Sequence, residues 1–171
     1  MKRFLFIGLL LPVTWLHAQD TTTSVTNKVS VEGKVKKPYS FTFDDTRRYV
    51  SIAIDSVTIL DHRFEKREVL HAIKGVLLKD VVEKAEIDAA GQKQLSGYYI
   101  ECIARDNYKV VFSWNELFNT GIGYNVLIIT EKDGLKGMEM PERICLLSST
   151  DHATGRRYIK ALEKIVVRQV E

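Results

Sequence analysis

The chain has 171 residues and a formal net charge of +3, with 45% of residues hydrophobic and 27% charged. That length and apolar share suit one domain with a proper core. The near-neutral balance excludes the long-range pull on nucleic acid or acidic lipid that a strongly basic protein exerts.

The first residues carry the pattern of a secretory signal. Lys2 and Arg3 form a positive start, Phe4 to Val13 is an apolar run, and Leu16-His17-Ala18 ends on a small residue before Gln19. The run falls short of the roughly 20 residues a membrane span needs. The expectation is a signal peptide over 1–18 and an exported protein, periplasmic or secreted, with no membrane span. No cysteine lies at the cleavage region, so no lipid anchor is indicated. Residues 19–27 are rich in Thr and Ser and read as a flexible arm. Residues 28–171 read as one α+β domain.

Lys28 to Lys36 alternates Val29, Val31 and Val35 with polar residues, as a half-buried strand does, and Gly33 marks a bend. Tyr39 to Phe43 is a second short alternating run, and Asp44-Asp45-Thr46 can cap a turn of helix. Val50 to Leu60 is β-branched and alternates, with a bend expected near Asp55-Ser56. The charged run Asp61 to Glu68 reads as the loop or strand edge that follows. Past Gly75, Leu77, Val81 and Ala85 recur every fourth position with Leu78 and Val82 beside them, which predicts a short amphipathic helix.

Tyr98 to Ala104 and Tyr108 to Phe112 form a predicted hairpin around Asp106-Asn107. Ser113 and Glu116 have the spacing of a capping box, so a short helix should start there. Asn125 to Thr130 reads as a fully buried strand, Lys132-Asp133-Gly134 as a turn, and Ile144 to Leu147 as a strand. Tyr158 to Val170 is expected to close the chain as an alternating strand pair. Many short strands with two modest helices and no repeat imply a sheet-rich α+β domain.

Several fragments occur in a familiar order: Val31-Glu-Gly33-Lys-Val35, then Pro38 and Phe41-Thr-Phe43-Asp44-Asp45, and then Gly75-Val-Leu77-Leu-Lys-Asp80-Val-Val. Asp106-Asn107-Tyr108, Asp133-Gly134, Pro141-Glu-Arg143 and Gly155-Arg-Arg-Tyr-Ile-Lys160 follow. Together they resemble the oxidoreductase molybdopterin-binding domain family, the sulfite-oxidase-like fold, from about Val29 to Val167. The resemblance implies a molybdenum held by a pterin dithiolene and one protein thiolate, a soft ligand suited to that metal. It places the thiolate in the segment Asp61 to Lys74, which contains no cysteine. The resemblance also implies phosphate-gripping residues at Arg143, Arg157 and Lys160; the bland alternative is solvated or carboxylate-paired surface charge. Two hypotheses follow. One is a non-catalytic binding or accessory module with an anion pocket, no cofactor or at most molybdopterin, and an anionic ligand or envelope protein as partner. The other is a molybdopterin-dependent oxidoreductase in which Asp61, His62 or His71 replaces the thiolate, or the metal binds through cofactor and oxo groups only.

Other candidates are weaker. Cys102 and Cys145 each sit in an apolar run and read as buried thiols, with a disulfide as the alternative. His62, His71 and His152 lack metal-site spacing. Asp61-His62 with Asp151-His152 would need their loops to meet. Ser148 to His152 holds the residue types of a hydrolase triad but no nucleophile elbow. Gly121 and Gly123 lack the rest of a dinucleotide fingerprint. Tyr98 and Trp114 read as packing before cleft lining.

Overall fold

A computed structural model describes residues 27–171. The expected signal segment and all but the last residue of the arm lie outside the described residues. Two sheets carry the structure. The first runs β2 (Tyr39–Phe41), β1 (Val29–Gly33), β11 (Leu162–Gln169), β5 (Tyr98–Ala104) and β6 (Lys109–Ser113) in spatial order. The second runs β10 (Tyr158–Ile159), β9 (Cys145–Ser148), β7 (Val126–Lys132), β4 (Lys66–Leu77) and β3 (Ser51–Leu60), with β8 (Leu135–Lys136) hairpinned onto β7. All pairings are antiparallel except β1 with β11.

Alternation along the strands builds two cores. Val126 and Ile128 of β7, with Ile144 and Leu146 at β9, join the inward residues of the first sheet in one core. Ile129, Cys145 and Leu147 face the other way into a second, with Val57, Ile59, Leu70, Ile73, Met140 and Tyr158. β7 and β9 are thus apolar on both faces, which is why Asn125 to Thr130 is continuously hydrophobic rather than alternating. β5 shows the opposite case, with Tyr98, Ile100, Cys102 and Ala104 buried and the residues between them half-buried.

The amphipathic helix is α2 (Leu78–Lys84); Leu78, Val81, Val82 and Ala85 are buried in the first core, and Leu77 just before the helix is buried as well. The capping box forms as expected: Ser113 Oγ accepts from Glu116 N at 3.1 Å, and Ser113 N donates to Glu116 at 2.7 Å, starting α3 (Trp114–Phe118). A single turn, α1 (Phe43–Thr46), begins where the Asp45 carboxylate accepts from Thr42 N and Oγ1, both at 3.0 Å. Gly75 lets β4 press against β7, since a Cβ there would stand 2.5 Å from Ile128 O.

Two readings need correction. The charged run Asp61 to Glu68 is a tight turn followed directly by the start of β4, a strand of 12 residues that returns along β3. Its period is hidden because the ladder skips the Asp55–Ala72 position, with Ala72 at φ 48°, and the core-facing pairs move from Ile54–Ile73 to Val57–Leu70. This is the expected bend near Asp55-Ser56, shared by both strands. The closing strands are also not a pair: β10 joins β9 in the second sheet, while β11 lies between β1 and β5 in the first. The crossover falls at Ala161, at φ 52°.

Candidate functional site

The turn between β3 and β4 is held by Asp61. Its carboxylate accepts from Arg63 N at 2.8 Å, from Glu65 N at 3.0 Å and from the Arg67 guanidinium. Partial burial raises the Asp61 pKa, but these donors outweigh it and keep the carboxyl below the usual carboxylate range. The connection from Thr154 to Lys160 packs beside this turn. Thr154 Oγ1 accepts from Leu60 N at 2.8 Å and donates to Thr58 O at 2.7 Å. Gly155 permits the approach, because a Cβ there would lie 2.8 Å from Leu60 O. Tyr108, from the turn before β6, donates its hydroxyl to Arg156 O at 2.6 Å.

These three segments enclose an open cleft of about 550 Å³. Its walls carry Arg67, Arg156 and Lys160 against Asp61 and Glu68, with His62 beside them. Lys160 Nζ lies 3.3 Å from Glu68 and 3.2 Å from Glu142 and remains 46% exposed. Arg156 is exposed and forms no ion pair among the described residues. Below Lys160, Lys132 is buried, donating to the Tyr158 hydroxyl at 2.9 Å and standing 3.0 Å from Glu142 Oε2. That contact satisfies Glu142 Oε2 as an ion pair rather than as an aligned hydrogen bond. Burial pushes the Glu142 carboxyl up, and the two lysines pull it further down, to a net value below the carboxylate range.

The structure does not gather the trio Arg143, Arg157 and Lys160 into this cleft; Lys160 alone lines it. Arg157 Nε and Nη2 each donate to Asp151 at 2.6 Å, Nη1 donates to Glu116 at 3.0 Å, and the guanidinium stacks 4.4 Å from the Phe112 ring centre. Arg143, at φ 57°, donates Nη1 to Met138 O, and its buried Nε has no partner among the described residues. His71 does not line the cleft; its backbone N donates to Asp133 at 2.8 Å. Arg156 and Arg67 were not singled out by sequence reasoning. Two adjacent arginines on a tight turn signal that one faces the protein and the other outward, but not which of them does.

The residues present do not fit a thiolate-held molybdenum. Cys102 lies on β5 in the first core and Cys145 on β9 in the second, both with 0% exposure, and neither lines the cleft. Burial drives the Cys102 thiol far above its ordinary range. It also pushes Cys145 up to about 11, with Glu142 adding to burial and Lys132 opposing it. The oxygen donors are committed as well: Asp61 to its turn and Arg67, Glu68 to Lys160. No cluster of three His, Cys, Asp or Glu side chains suited to a metal occurs among the described residues. A larger hollow of about 780 Å³ lies beside α1 and β8. The charges on its walls are already paired, Arg47 with Asp44 and Lys136 with Glu131.

No protein-family model and no curated protein matches the chain. Among solved structures, the sulfane dehydrogenase SoxCD from Paracoccus pantotrophus is similar, with a TM-score of 0.58 at 13% identity. The match covers 84% of this chain and 39% of that one. At that identity the likeness is one of fold, and it agrees with the sheet-rich, sulfite-oxidase-like α+β architecture read from the sequence. Among the described residues no helix is long and apolar enough to cross a membrane.

Proposed function

We infer that this chain is an exported binding or accessory module on a sulfite-oxidase-like fold, non-catalytic, whose cleft takes an anionic group. One observation carries the reading: the cleft has three basic side chains against two acidic ones and no thiolate within it. Fold alone does not bring an activity with it, so the reading rests on the site. Lys160 and Arg156 would grip the anion, Lys160 as a point charge and Arg156 through its fork of donors. Arg157 has a positioning role: by anchoring the connection to Asp151 and Glu116 it fixes where its two neighbours stand. If a molybdopterin binds at all, these residues would meet its phosphate. An envelope protein partner remains part of this proposal.

Calorimetric titration with inorganic pyrophosphate tests the reading. Saturable heat is expected from the native protein, and its loss in Arg156→Ala/Lys160→Ala with an unchanged circular dichroism spectrum. No heat from the native protein, or equal heat from the variant, would remove the anion site. Elemental analysis of protein matured in a molybdenum-competent host tests the non-catalytic part. Stoichiometric molybdenum would favour the oxidoreductase reading with non-cysteine ligation instead.

A further inference from the structure

An uncovered sheet edge presents amide and carbonyl groups that pair readily with another strand. Among the described residues β3 is the longest edge strand, with ten residues, against five for β6, three for β2 and two for β10. Its C-terminal end is covered, because the Thr154 hydroxyl bonds both Leu60 N and Thr58 O. Its N-terminal half is not covered by any of the described residues. From Ser51 to Asp55, the backbone groups turned away from β4 have no hydrogen-bond partner among the described residues. Ser51, Ala53 and Asp55 are exposed, Ile52 and Ile54 are half-buried, and Val50 is 73% exposed.

Natural edges are usually blunted by lysine, proline or brevity. None of these occurs between Ser51 and Leu60, where Asp55 is the one charge. We propose that this half-strand pairs antiparallel with the same half-strand of a second copy, about a two-fold axis through Ala53. In that register Ile52 faces Ile54 of the partner subunit, and Asp55 faces Ser51 of the partner subunit. Apolar side chains meet each other and the one charge never meets its own copy, the cross-strand pattern that stabilises antiparallel pairs. The self-match of the segment favours a second copy over a foreign strand, and a two-fold contact closes on itself as a dimer. The cleft residues lie beyond the covered end of β3, so the dimer stands or falls apart from the ligand reading.

Ala53 sits on the axis, which makes the test specific to register. Directly opposed residues in an antiparallel pair have Cα atoms about 4.5 or 5.5 Å apart, and both spacings fall within disulfide reach. Ala53→Cys should form a linked dimer under mild oxidation, since Cys102 and Cys145 are buried. Val111→Cys, an exposed position on the β6 edge, should not. In sedimentation analysis the native protein should show a concentration-dependent dimer. Ala53→Lys and Ala53→Asp should each run as folded monomers, and an equimolar mixture of the two should recover the dimer. A native protein that stays monomeric at its highest soluble concentration would overturn the proposal. So would equal cross-linking at both cysteine positions, or an Ala53→Lys protein with undiminished dimer.

Discussion

Arg157 and Lys160 stand three residues apart on one connection, and each meets two carboxylates. Arg157 is 21% exposed and uses Nε, Nη1 and Nη2, so all three of its nitrogens are engaged by Asp151 and Glu116 while its face lies on Phe112. Lys160 is 46% exposed, touches Glu68 and Glu142 at single oxygens, and borders the cleft. The difference follows from side-chain shape. A planar guanidinium locked bidentately joins distant segments, here α3 and the loop after β9, whereas an ammonium on a flexible stem keeps donors available. Equal formal charge and equal carboxylate count therefore mark structure in one case and, in the function proposed above, an anion site in the other.

The largest way to break this comparison is Arg157→Ala. It strands Asp151 and Glu116 and uncovers Phe112. The expected loss is about 3 kcal/mol, the low end for breaking a buried pair, because the three side chains keep 17–34% exposure. Urea unfolding measures it, and a loss below about 1 kcal/mol would mean that the cluster behaves as a surface pair. Arg157→Lys should recover only part of the loss, because a point charge cannot span both carboxylates. For the same reason, Arg157 and Lys160 are unsuited to joint replacement as a binding test: the first would disturb the fold that the second needs.

Acid unfolding tests the Arg157 cluster more gently. Glu116 and Asp151 both have folded pKa values below the ordinary carboxylate range. Burial raises each, and for Glu116 the Ser113 donors and then Arg157 outweigh it, while for Asp151 Arg157 leads. A depressed folded pKa gives stability that is present above the unfolded value and lost as pH falls through the folded one. The native protein should hold its stability at neutral pH and lose it steeply below about pH 4, where unbound carboxylates titrate. Arg157→Ala should flatten that acid slope as well as lower the plateau. A parallel downward shift with an unchanged slope would show that Arg157 is not what depresses the two carboxyls.

What is legible in the sequence divides along the same line. Local rules worked where one segment decides the outcome: the Ser113–Glu116 box, the buried stripe of α2, and the alternation of β5. The hidden features depend on partners far along the chain. Arg157 finds Glu116 across 41 positions and Leu60 finds Thr154 across 94. No spacing rule encodes such meetings. β4 is hidden in the sequence because the Asp55–Ala72 irregularity resets its period halfway, and its charged first half looks like a loop. The split of β10 from β11 turns on one residue, Ala161, entering a left-handed conformation that its type does not announce. The order of the motif fragments carried the fold where periodicity could not; of the basic residues it named, Lys160 lines the cleft while Arg157 turns into the protein and its neighbour Arg156 faces outward.

The smallest expected effect sharpens the comparison most. Lys160→Ala removes one of two cations near Glu142, but Lys132 stays 3.0 Å away and keeps that carboxylate compensated. Glu68 is 39% exposed and returns to water. The stability cost should therefore stay under about 1 kcal/mol, as for exposed pairs, although Lys160 has as many carboxylate neighbours as Arg157. Unfolding in urea at low and at 0.5 M salt decides it, because a screened surface pair loses most of its small contribution in salt and the Arg157 cluster loses little. A Lys160→Ala loss as large as that of Arg157→Ala would mean that the Lys132–Glu142–Lys160 chain is a second structural lock, and Arg156 would then be left as the cleft's one cation without an ion pair among the described residues.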